Sequence, residues 1–211
     1  MVVRNIDLLK VWDDKHIIEK NINFLRTPTK PVQKSDFKSH KIKQIIEELI
    51  NTYQAIPCAG IAANQIGYDE KLFIGMKHDR NKTVSDDPTQ NIDQIEPKPD
   101  NYEIYINPRI DKTNKKSTQQ GSEGCLSIPG ISLIIERYDE IDVRYYNKEG
   151  KKQKKSLAGF LSRLFQHELD HLNGKLMFEN SISNILLDNS VPLESKYVYQ
   201  IEKLIKYTIE K

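Results

Sequence analysis

Apolar positions recur at helical spacing in three stretches of the chain. In residues 41–53 (KIKQIIEELINTY) they fall at 42, 45, 46, 49, 50 and 53, a stripe that predicts a helix with one face on a core. In residues 156–174 (SLAGFLSRLFQHELDHLNG) Phe160, Leu164, His167 and His171 share one face and no proline interrupts. Ser156 is the expected N-cap there, and Asn173-Gly174 the expected left-handed stop. Residues 193–211 predict a C-terminal helix that turns Val198, Ile201, Leu204, Ile205 and Ile209 inward.

Alternation of period two marks the strands. KLFIGMK (71–77), EIYINP (103–108, stopped by Pro108), ISLIIERY (131–138) and EIDVRYYN (140–147) all read this way. Residues 147–150 (NKEG) predict a hairpin turn, and KKQKKSL returns along an exposed edge, where lysines discourage pairing with another sheet. Residues 1–37 carry little pattern beyond a short helix near the start. Residues 78–101 are polar and proline-bearing, a surface insertion. Helices and strands do not alternate as βαβ units. The expected class is α+β, with mostly antiparallel sheets packed around a central helix at 156–174 and with the C-terminal helix added.

Composition narrows this picture only a little. A chain of 211 residues is expected to be one domain, 1–211. Thirty-two basic against thirty acidic side chains gives no global electrostatic case for nucleic acid. Cys58 and Cys125, the two cysteines, make no disulfide framework, and no signal-peptide core or apolar run of membrane length is visible. The expectation is a cytoplasmic protein, monomeric and without membrane contact.

The candidate chemistry lies on the second helix. His167 and His171 stand at i and i+4, one turn apart, and can reach one divalent ion; Glu168 beside them suits a base acting on water. A catalytic site of this kind needs a third protein ligand. The pattern HExxHxxGxxH fails, because Met177 stands where the last His is required. Glu194 downstream and Cys125 upstream both remain open on these grounds. Glu194 would make an HExxH metalloprotease, and Cys125 would supply a thiolate suited to a borderline-soft metal.

Three stretches then carry a resemblance. GIAANQ (60–65), EGCLS (123–127) and QHELDH (166–171) stand in the order found in peptide deformylases, with QIGYDEKLFI, INP, SIPGI and HLNGKL flanking them, and the sequence strongly resembles that family over about residues 40–180. The resemblance implies hydrolysis of the N-formyl group from the N-terminal methionine of newly made polypeptides, releasing formate. It implies Cys125, His167 and His171 as ligands of one divalent metal ion, Fe(II) natively, with Zn, Ni or Co as replacements. Glu168 would be the proton-transferring base. The Gln65 amide and the Leu126 backbone N–H would face the oxyanion. Ala59, Gly60, Gly124, Phe160 and Leu164 would border the substrate, with Arg163 at the rim of the methionine pocket. Glu123 is expected to brace neighbouring backbone.

The resemblance also implies N-formylmethionyl nascent peptides as partners, with a transient ribosome contact and no nucleic-acid specificity. Cys58 and Pro57 depart from the family's first motif, and Ser132 stands where some members place an Arg. These departures touch substrate affinity and leave the metal and proton chemistry alone. The remaining alternative is a catalytically weak binding protein. Its metal site would be closed by a fourth ligand such as His78 or Cys58.

Overall fold

The computed structural model describes residues 8–13, 16–79 and 100–180. Among the described residues there are three α-helices: α1 (Glu19–Leu25), α2 (His40–Ala55) and α3 (Gly159–Leu172). The same residues hold seven strands: β1 (Gly60–Ala62), β2 (Leu72–Met76), β3 (Tyr102–Thr113), β4 (Thr118–Cys125), β5 (Ile128–Tyr138), β6 (Glu140–Tyr146) and β7 (Lys152–Ala158). The expected insertion lies mostly, and the expected C-terminal helix wholly, outside the described residues.

Period-two alternation on β2 and β3 decides the layering. Leu72, Ile74, Ile104 and Ile106 face one way and bury against Ile42, Ile45, Ile46 and Leu49 of α2. Phe73 and Tyr105 face the other way and meet Phe165 of α3 with rings edge-on at 5.4 and 5.5 Å. The five-stranded antiparallel sheet, in the order β1-β2-β3-β6-β7, thus lies between the two helices. The β4–β5 hairpin forms a separate two-stranded sheet. Helix α2 begins where Ser39 Oγ accepts the Ile42 N–H at 3.3 Å. The architecture is the expected mixture of helices and antiparallel sheets. Among the described residues no helix is long and apolar enough to cross a membrane.

Two boundaries differ from the sequence reading. Ser156 is no N-cap: it lies in β7, paired with Asp142 and donating its hydroxyl to that carboxylate at 2.6 Å, so α3 starts three residues later at Gly159. Pro108 does not stop β3. A register shift between Ile106 and Arg109 takes up the proline, with Asn107 at φ 50° and its amide bonded to both backbone groups of Val32. The described part of the unpatterned lead-in is well anchored. Val11 and Trp12 are fully buried and join Ile22, Leu25, Ile128, Leu133, Ile135, Leu176 and Phe178 in a cluster of their own.

The end of α3 is as expected. Gly174 (φ 72°) donates to His171 O at 3.1 Å and Lys175 to Asp170 O at 2.8 Å, the paired bonds of a Schellman stop. The NKEG turn and the lysine-bearing edge strand β7 are likewise in place.

Phe165 links α3 to the sheet through two aromatic contacts, so Phe165→Ala is expected to destabilise the fold by about 3–5 kcal/mol in urea unfolding.

Candidate metal centre

Two imidazoles one helical turn apart are a local product of α3, but the third donor comes from a different sheet. Strand β4 ends at Cys125, where a register shift after Gly124 and the Leu126-Ser127 turn lead into β5. This places Cys125 Sγ 3.2 Å from His171 Nε2, and one donor atom each from Cys125, His167 and His171 lies within 4.8 Å of the others. A thiolate and two imidazoles fit a borderline-soft divalent ion, as three protein ligands with a fourth position left open. Among the described residues no further His, Cys, Asp or Glu joins this group. His78 and Cys58 stand apart from it, and Glu194 is outside the described residues.

The ring of His167 is held from behind. Its Nδ1–H donates to Glu123 Oε2 at 2.9 Å, which leaves Nε2 free as a donor atom. Glu123 is buried and held by two guanidinium groups. Arg137 takes both its oxygens at 2.9 Å, and Arg163 takes Oε1 at 2.7 Å. Arg137 also pairs with Asp170 on α3. Burial alone would raise the Glu123 pKa, but the hydrogen bonds from His167 and Arg137 and the Arg137 charge hold it well below the carboxylate range. The sequence reading gave Glu123 to neighbouring backbone and Arg163 to a cleft rim. Glu123 binds side chains instead, while Arg163 does line the cleft but is buried there, donating also to Gln119 O, Gly121 O and Ile135 O of the hairpin. Neither Arg137 nor Asp170 was singled out from the sequence; their ion-pair partners are remote along the chain and invisible to local pattern.

Glu168 is buried with Oε2 lacking a hydrogen-bond partner. Burial raises its pKa to about 7, against the lowering influence of His167 and His171 and with Cys125 and Glu123 adding to the rise. Gly60 leaves this carboxylate room, since a Cβ at that position would stand 2.6 Å from Glu168 Oε1 and push the side chain aside. Gln65 is also buried. Its Oε1 accepts the Ala62 N–H at 2.9 Å, while Nε2 lies 3.1 Å from Ser127 Oγ and 3.7 Å from Cys125 Sγ. For Cys125, burial would raise the thiol pKa, but the positive charges and hydrogen bonds of His171 and His167 bring it down to about 5.

A cleft of about 730 Å³ opens over these groups. Ala59, Gly60, Gly124, Leu126, Phe160 and Leu164 all line it, together with Gln65, Cys125, His167 and Glu168. Leu164 is buried there, whereas Phe160 is exposed at its mouth.

A model of the polypeptide deformylase family matches residues 14–185. The peptide deformylase of Thermus thermophilus is 34% identical over 159 residues, which cover 74% of this chain and 76% of that protein. The chloroplastic peptide deformylase 1A of Solanum lycopersicum is 32% identical over 160 residues, covering 76% of this chain and 57% of its own length. Among solved structures, the peptide deformylase of Thermotoga maritima superposes with a TM-score of 0.61 at 30% identity, covering 82% of this chain and 95% of that one. A Met-Ala-Ser-bound class I type b peptide deformylase from Acinetobacter baumannii gives 0.66 at 26% identity, covering 83% and 97%.

Two outcomes follow from this geometry. Glu123→Gln removes the charge that orients His167 and is expected to weaken metal affinity by about 10–100-fold in a chelator competition. Metal-stripped protein should alkylate at Cys125 with iodoacetamide at pH 6.5, and Zn(II) should protect it, as read by peptide mass mapping.

Proposed function

The chain belongs to the polypeptide deformylase family, and from that premise we propose how its own residues remove the N-formyl group from the N-terminal methionine of a new polypeptide. Cys125, His167 and His171 hold one divalent ion, Fe(II) natively, with Zn, Ni or Co able to replace it. When bound, the ion supplies Lewis acidity, favouring negative charge on oxygen at neutral pH.

Glu168 takes the proton from the water that attacks the formyl carbon and delivers it to the departing amine nitrogen. Its raised pKa suits both halves of that exchange, because a group that titrates near neutrality can accept a proton and give it up again. Gln65 has two Nε2 hydrogens. Ser127 Oγ is positioned for one, and the other serves the oxyanion together with the Leu126 backbone N–H. The Ala62 N–H on Gln65 Oε1 fixes the amide beforehand, so little reorganisation accompanies the reaction. Ala59, Gly60, Gly124, Phe160 and Leu164 border the substrate, and the apolar members of this wall suit a methionine side chain.

The observation that supports this reading most directly is the meeting of the β4 thiolate with two α3 imidazoles beside a buried carboxylate. A purely structural metal site would close the fourth position and would have no use for Glu168 or Gln65. We read the chain as one catalytic domain, acting as a monomer in the cytoplasm on nascent chains with a transient ribosome contact.

Anaerobic protein loaded with Fe(II), or with Ni(II), is expected to release formate from formyl-Met-Ala-Ser; no formate above a metal-free control would refute the assignment. Glu168→Ala should lower kcat by about 10²–10⁴ with metal content unchanged. Gln65→Leu should lower kcat by about 10²–10³, the loss typical of one oxyanion donor.

A further inference from the structure

Part of the cleft is built by the lead-in segment that carries no periodic pattern. Leu9 N–H donates to Gln65 O at 2.8 Å and Val11 N–H to Ser127 O at 2.9 Å, while the Trp12 indole N–H reaches Pro129 O at 3.2 Å. The backbone on both sides of Lys10 is therefore fixed against the two motifs that carry the oxyanion donors and the thiolate. Leu8 and Lys10 both line the cleft, and Lys10 is exposed.

The other charged groups of the cleft are already engaged. Arg163 and Glu123 neutralise one another in buried contact, His167 is bonded to the same carboxylate, and Glu168 is the base. Among the described residues Lys10 has no carboxylate partner and is the cleft's unengaged cation. The same cleft is lined by Ile56, Pro57, Leu126, Ile128 and Pro129, apolar groups that lower the local dielectric, so a charge there is less screened than on open surface.

We propose that Lys10 is a specificity-determining residue that reads a carboxylate on the incoming chain. Formylated polypeptides with Asp or Glu within the first few residues after methionine are thereby favoured over neutral or basic ones. The inference rests on the deformylase reading and names a substrate class within it. Lys10 has no part in the proton transfer, so its influence falls on KM.

The test compares Ni(II)-loaded full-length protein on C-terminally amidated peptides, which lack the terminal carboxylate. The series is formyl-Met-Xaa-Ala-Ala-amide and formyl-Met-Ala-Xaa-Ala-amide, with Xaa as Asp, Asn or Lys. At low salt the wild-type protein should favour Asp over Asn by about two- to fivefold in kcat/KM at one of the two positions, the scale of a partly exposed ion pair, with the difference carried by KM. Lys10→Met should bring that ratio to one, Lys10→Glu should reverse it in favour of Lys, and about 1 M salt should erase it. An Asp:Asn ratio that is the same in all three proteins overturns the role of Lys10 while leaving the deformylase reading intact. Wild-type protein that releases no formate from any of the peptides overturns both.

Discussion

One buried carboxylate holds this site together. Glu123 sits between two guanidinium groups and still accepts a hydrogen bond from the His167 ring. An isolated carboxylate taken out of water is costly, and losing either arginine would leave uncompensated charge in the core. Fully paired, the same group fixes the ring orientation of His167 and ties together three elements: β4 through Glu123 itself, β5 through Arg137, and α3 through Arg163 and Asp170. The thiolate lies two residues beyond Glu123 on the same strand. The contacts that aim the imidazole therefore also set where the sulfur arrives.

Much of this was legible in the sequence wherever the relevant physics is local. The stripe on 41–53 and the His167-Glu168-Leu169-Asp170-His171 turn are short-range patterns, and α2 and α3 form there. Cys125 was recognisable through its motif, and its sulfur stands beside His171 Nε2. What escaped is what depends on partners far along the chain. Ser156 has a helix-capping side chain, yet pairing with β6 keeps it extended. Pro108 ends strands by rule, but Asn107 absorbs it in a bulge anchored to Val32. The resemblance places Arg163 at the rim of the methionine pocket, and nothing local to it in the sequence announces its burial. The carboxylate that compensates its burial lies forty residues away in sequence.

The lead-in segment makes the same point more strongly. No period-two or 3.6-residue pattern runs through residues 8–13, because the segment forms neither strand nor helix of useful length. Its order comes from backbone bonds to Gln65 and Ser127 and from the burial of Trp12. Irregular chain can be held as firmly as a strand when its polar backbone groups are taken up by neighbours. Here those neighbours are residues of the site, so the segment belongs to the cleft wall.

The outermost position of β1 has a further consequence. It pairs with β2 on one side only; on its other side the Ala62 N–H is taken up by Gln65 Oε1, which leaves the main chain of Gly60, close to Glu168, as the strand edge that lines the cleft. An extended guest laid along that rail would be recognised through its peptide groups, which every polypeptide shares whatever its side chains. So short an edge grips only a short length of guest, enough to align a chain end and too little to retain the rest. Such a brief handhold suits an enzyme that must meet many different chains once each and let them go.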